Sequence, residues 1–260
     1  MSAPELVKAI AWYVLPTGML RLVRRRHYYR ILTQGGGNEP ELAVLGLFVK
    51  PGACVVDVGA NFGLYTKALA DLVGPSGCVY SIEPVPETFD LLAANVARLG
   101  LSNVVPMRRA LSDTDGERVR LVVPKMGRFG LENPYQARIV RGPAQGREVM
   151  AETCTLDRLL AERPGQVSFV KCDVEGHELA CLRGAVDLIR RSRPTWLLEV
   201  SGDARVDGSS ARSVFSLMRE FGYRTYVLDG KALRPWRPDE APHVNYFFVP
   251  NAAAGPPFPR

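Results

Sequence analysis

The chain has 260 residues, 47% of them hydrophobic, and a formal net charge of +6. That apolar content suffices for one well-buried core, so one domain with embellishments is the natural reading. The basic residues are scattered rather than striped, which argues against nucleic acid as a partner. Five cysteines (Cys54, Cys78, Cys154, Cys172, Cys181) show neither a CxxC pair nor metal-ligand spacing. Those inside predicted strands read as small buried hydrophobes, and a reducing cytoplasm is the expected location.

Residues 9–22 are mostly apolar, but Pro16 and Gly18 interrupt them. The run is shorter than the ~20 apolar residues that span a bilayer. Arg21, Arg24, Arg25 and Arg26 follow it, whereas a signal peptide carries its charge first. Residues 1–50 are expected to form a helical extension packed on the domain edge, with helical pieces at 4–15 and 19–26 and a short strand at 27–32. An interfacial helix on an anionic membrane is the alternative, through residues 1–26. A loop at 34–38 precedes helical spacing over 39–49, which stops at Pro51-Gly52.

Residues 51–251 then alternate strands with amphipathic helices. The pattern predicts strands at 54–58, 78–83, 104–109, 168–172 and 196–200, and helices at 64–72, 86–99, 179–190 and 210–221. Such alternation implies right-handed βαβ units and an α/β fold around a mostly parallel sheet, with helices on both faces. Strands at 223–228 and 244–249 have no helical pattern between them, and 229–242 carries three prolines. An antiparallel pair at the sheet edge is expected. An insertion at 124–147, rich in Gly, Pro and Arg, interrupts the alternation, and residues 252–260 read as a frayed tail.

Two stretches carry the chemistry. The first is Asp57-Val58-Gly59-Ala60-Asn61-Phe62-Gly63, followed at the next strand end by Glu83. Gly59 and Gly63 permit a tight turn and close approach of a ligand. The helix start behind them favours an anion. Glu83 can accept both hydroxyls of a ribose, and would repel a ribose 2′-phosphate. S-adenosylmethionine fits this set: its carboxylate meets the turn, its ammonium an acid such as Asp57, and its ribose Glu83. The missing third glycine of GxGxxG argues against a nicotinamide dinucleotide.

The second stretch is Lys171-Cys172-Asp173-Val174-Glu175-Gly176-His177-Glu178. Asp173 closes a strand, Glu175 and Glu178 open a helix, and Glu199 ends the following strand. Methyl transfer to oxygen requires alignment and removal of a proton. Asp173 is the leading general-base candidate, with Glu175, His177 and Glu199 as further catalytic candidates. Asp173 and Glu199 together could instead hold Mg²⁺. No HxH, HxxE or Cys/His cluster points to a transition metal. In the insertion, Phe129 and Tyr135 could stack on a ring, and Arg138 or Arg141 touching the acceptor would imply an anion. Thr155 reads as a helix cap and Trp196 as core.

The runs DVGANFGLYT, EPVPETFDLL with Asn95, TLDRLL, FVKCDVEGHELACLRGA and RPTWLLEV together resemble the FkbM-type family of S-adenosylmethionine-dependent methyltransferases. The resemblance covers residues 52–200 and extends toward the strand containing Asn245. It implies a seven-stranded Rossmann-like sheet whose last strand is antiparallel. It also implies O-methylation of a hydroxyl on a sugar, polyketide or other secondary metabolite. Asp57, Gly59, Asn61, Gly63, Glu83 and Asp173 would line the cofactor, and Ser112 or Asp113 would approach the adenine by fold position. A catalytically silent binding protein of the same fold, or a membrane-associated enzyme acting on a lipid-linked glycan, are the alternatives.

Overall fold

The computed structural model describes residues 17–35, 39–126, 131–162 and 165–251. The expected helix at 4–15, the tail at 252–260, Phe129 and part of the 34–38 loop lie outside them. Helix α1 (Thr17–Gln34) and a 3-10 helix (Pro40–Leu47) precede β1 (Cys54–Val58), α2 (Leu64–Val73), β2 (Cys78–Ile82), α3 (Pro86–Arg98) and β3 (Val104–Met107). Next come β4 (Ala110–Leu111), β5 (Arg118–Val123), β6 (Lys125–Met126), β7 (Leu131–Glu132), β8 (Arg138–Ile139), β9 (Arg147–Cys154) and α4 (Leu156–Leu159). The chain continues through β10 (Val167–Cys172), α5 (Glu178–Arg183), α6 (Val186–Ser192), β11 (Thr195–Glu199), α7 (Ser210–Glu220), β12 (Tyr223–Asp229), β13 (Ala232–Pro235) and β14 (Asn245–Pro250).

The main sheet runs in the order β13-β12-β14-β11-β10-β1-β2-β3. Strands β3, β2, β1, β10 and β11 are parallel, and β14 is antiparallel to both β11 and β12. Alternate side chains serve different cores, as the pleat requires. Val56, Val58, Val170, Trp196 and Leu198 pack toward α5, α6 and α7, whereas Val55, Phe169, Leu197 and Phe247 pack toward α2 and the 3-10 helix. Burial on both faces explains the unbroken apolar runs.

Several expectations need correction. Residues 27–32 continue α1 instead of forming a strand; Tyr28 and Leu32 meet the domain on one helical face, four residues apart. The predicted helix at 179–190 is two helices, α5 and α6. Gly184 between them lies so close to Ser112 that a Cβ would stand 2.0 Å from its carbonyl oxygen. The Asp157 carboxylate accepts the N–H groups of Asp187 and Leu188, starting α6 afresh. The segment at 39–49 is largely 3-10. The sheet has eight strands: β14 slots between β11 and β12 instead of lying at the edge, and the edge hairpin is β12–β13.

Strands β5 and β9 were not foreseen. They pair antiparallel over six residues each and, with β4 and β8, form a second sheet. Cys54 and Cys78 are direct register partners on parallel strands and are joined by a disulfide, with Cα atoms 4.6 Å apart. They are therefore not the separate buried thiols expected. Thr155 does cap its helix, accepting the Arg158 N–H, and Trp196 is fully buried.

Candidate active site

The carboxyl ends of β1, β2 and β10 open on a cleft, about 600 Å³ with the open solvent at its mouth included, that the second sheet closes from the other side. After β1 the chain turns through Gly59 (φ +72°), Asn61 (φ +54°) and Gly63 (φ +98°), all left-handed. Gly59 is forced: a Cβ there would lie 1.8 Å from the Asp173 carbonyl oxygen, so the first turn and the turn after β10 touch backbone to backbone. Asn61 supports its own conformation by accepting the Phe62 N–H on its side-chain oxygen, at 2.7 Å. Asn95 reaches back from α3 to donate to the Phe62 carbonyl at 2.8 Å.

Glu83 ties the two strand ends together. Its carboxylate accepts the N–H groups of Asn61 and Val85, each at 3.0 Å, and the Thr88 hydroxyl at 2.7 Å. It lines the cleft while almost wholly buried, and burial raises its pKa against these hydrogen bonds. A carboxylate has about four acceptor positions, so room remains for a ligand hydroxyl. Asp57 is placed differently. It is fully buried beneath the turn, with Oδ2 held by the Thr66 hydroxyl at 2.6 Å and Oδ1 without a hydrogen-bond partner. Burial raises its pKa, opposed first by the nearby Lys171 charge.

Lys171 is a buried cation for which the sequence offers no local signal. Its ammonium bonds the Asp173 carboxylate at 3.0 Å and sits 5.0 Å from the centre of the Tyr65 ring. Burial alone would lower its pKa; Asp173 and Asp57 outweigh it and hold the charge firmly in place. Asp173 lines the cleft already paired. Among the described residues no such cation is bonded to Glu199. Burial first, then the charges of Asp173 and Glu175, push its carboxyl up to about 7. Its cross-strand partner Asn245 donates to Glu41 at 3.0 Å, bringing the segment before β1 to this end of the sheet. Neither Glu41 nor Tyr65 carries a local sequence signal; both arrive by packing.

The remaining acids divide by role. Glu178 is buried and accepts the N–H groups of Val174 (3.3 Å) and Gly176 (3.0 Å), so it closes its own turn. Glu175 lines the cleft in a left-handed conformation (φ +53°), with burial and then Asp173 raising its pKa. His177 also lines the cleft, its Nε2 3.0 Å from the Ser112 hydroxyl, which lies 3.1 Å from Asp113. Burial lowers its pKa, favouring the neutral ring. His177 therefore groups with Ser112 and Asp113, whereas Asp57, predicted to meet the ammonium, is buried and does not line the cleft.

The insertion supplies an apolar wall. Ala137 and Ile139 face the cleft with Leu121 and Tyr135, while Arg138, between them on the strand, is exposed. No group of three or more His, Cys, Asp or Glu able to hold a metal ion occurs among the described residues. With Asp173 engaged by Lys171, Mg²⁺ at Asp173 and Glu199 gains no support.

The sequence model of the methyltransferase FkbM domain matches residues 57–225. This chain belongs to the FkbM methyltransferase family. The match begins at Asp57 and ends inside β12, so it encloses both turns and the cleft. A protein-L-isoaspartate O-methyltransferase from Methanocella arvoryzae is 30% identical over 103 residues, covering 39% of this chain and 49% of its own length. Another from Methanothrix thermoacetophila is 40% identical over 58 residues, covering 22% and 28%. The chain thus spans half or less of these curated relatives. The crystal structure of a methyltransferase FkbM from Methylobacillus flagellatus shares 18% identity and a TM-score of 0.49, over 81% of this chain and 50% of that one. For an FkbM-family cleft, the glycine cradle at Gly59, the spare acceptor capacity of Glu83 and the neutral His177 fit an adenosyl ligand with free ribose hydroxyls.

Proposed function

We propose that this chain is an S-adenosylmethionine-dependent methyltransferase acting on a hydroxyl of a small acceptor, a sugar, polyketide or similar metabolite. When bound, that cofactor supplies a sulfonium methyl open to attack by an acceptor oxygen. The observation that carries the reading is the turn Gly59–Gly63 locked to Glu83 at the mouth of the cleft. Glu83 would receive a ribose hydroxyl, the turn the carboxylate, and His177 with Ser112 and Asp113 the adenine side.

Glu199 is the proton acceptor in this reading. A base is most useful when its pKa lies near the working pH, and burial beside Asp173 and Glu175 holds Glu199 at about 7. Asp173 moves from base to positioning residue, because Lys171 already takes its charge. The apolar wall at Leu121, Ala137 and Ile139 suits the carbon face of a sugar ring or polyketide, which would leave its hydroxyls toward the acids.

Titration calorimetry with S-adenosylhomocysteine tests the cofactor half. Wild type is expected to bind, and Glu83→Ala to bind at least tenfold more weakly, since it removes a charged acceptor worth about 1.5–3 kcal/mol. Radiolabelled methyl transfer to hydroxylated acceptors tests the rest. Absence of binding by the wild type removes the proposal.

A further inference from the structure

Helix α1 is fixed to the domain by its second half. The Tyr28 ring packs 4.4 Å from Phe62 and 5.2 Å from Tyr135, Arg98 stacks 3.7 Å over Tyr29, and Leu32 is buried. Its first half has a different surface. Met19, Leu22 and Val23 are 51%, 67% and 50% exposed. With Arg26 and Arg30, both exposed, they recur at i, i+3, i+4, i+7 and i+11, which is one helical face. The helix sequence holds five arginines and no Asp or Glu.

An aliphatic tip continued by a basic row needs a partner with both properties. A bilayer bearing acidic headgroups has them: aliphatic side chains enter the headgroup–acyl boundary, and guanidinium groups stay at phosphate level. An RNA would engage the arginines and leave the aliphatic trio wet. In sequence, the trio is preceded by Ile10, Trp12, Tyr13, Val14 and Leu15, and Trp and Tyr favour the membrane interface. No helix among the described residues is long and apolar enough to cross a membrane.

We propose that the exposed face of α1, carried by Met19, Leu22, Val23, Arg26 and Arg30, docks the chain peripherally on an anionic membrane surface. The face belongs to the helix whose Tyr28 packs on Tyr135, a residue of the cleft wall. Docking therefore fixes the cleft relative to the bilayer, one side chain away from the anchored helix.

Flotation of the full chain with phosphatidylcholine vesicles, with and without phosphatidylserine, tests this. The readout needs no methyl transfer, so its failure is distinct from failure of the enzymatic reading. Binding is expected with phosphatidylserine alone and should weaken as salt rises. Arg26→Gln with Arg30→Gln should lower partitioning roughly thirtyfold. The triple variant Met19→Ser, Leu22→Ser, Val23→Ser should lower it as far, and both sets should unfold at the wild-type temperature. No vesicle binding by the wild type, or unchanged binding by both variant sets, overturns the proposal. So does a wild-type dimer that the triple variant dissociates without vesicle binding, or capture of a single-stranded RNA probe in place of vesicles.

Discussion

At the cofactor end of the cleft, Gly59, Asn61, Gly63 and Glu83 belong to one βαβ unit and hold one another through backbone N–H groups. Beside it, Glu41, Lys171, Asp173, Glu199 and Asn245 come from separate stretches and gather where β10, β11 and β14 lie side by side, with Asp173 alone of the five lining the cleft. In the first region charge is satisfied by fixed amide dipoles. In the second, several carboxylates share one buried lysine, and burial first, then repulsion from Asp173 and Glu175, raises the pKa of Glu199. Hydrogen bonds to backbone fix the Glu83 carboxylate; burial and unshared charge raise the Glu199 pKa, on which its proposed role as proton acceptor rests.

Substitutions can break that contrast. The largest effect is expected at Gly59→Ala, which combines a left-handed backbone with a clash against the Asp173 carbonyl. It should cost about 4 kcal/mol in urea unfolding, or prevent folding, because strain and overpacking add. Lys171→Met should cost about 3 kcal/mol by leaving buried acids unpaired, and adding Asp173→Asn should recover part of it. If Lys171→Met is silent in unfolding, the second region is not organised by that ammonium.

Glu199→Gln sharpens the contrast from the chemical side. Methyl transfer should fall roughly hundredfold in kcat/KM with cofactor binding unchanged. The base acts when deprotonated, so wild-type kcat/KM should rise with pH through about 7 and fall below it. In the variant that limb should vanish. A retained limb would return the role to Asp173 or Glu175. The smallest effect belongs to Ser112→Ala, which frees His177 from one hydrogen bond and should weaken cofactor binding about fivefold.

The glycine turns and strand-end acids were legible because backbone geometry demands particular residues at particular positions. The parallel core strands were legible because burial on both faces leaves an unbroken apolar run. Strands β5 and β9 were not, since one is arginine-studded and the other half-exposed, and their pairing closes across the Gly/Pro-rich insertion. The extra turns of α1 beyond residue 26 were missed because Tyr28 and Leu32 suit a strand as readily as a helix until a docking surface chooses.

Composition and motif alone determined the α/β class and the glycine turn that joins the ends of β1 and β2, where the cofactor seat is proposed. These are set locally, by torsion angles and by burial of contiguous segments. Tertiary structure decided which acid pairs with Lys171, which acid has its pKa raised, that Cys54 meets Cys78, and which face of α1 stays uncovered. Each depends on distances between residues far apart in the chain, and electrostatic and covalent pairing respond to those distances, not to order along the sequence.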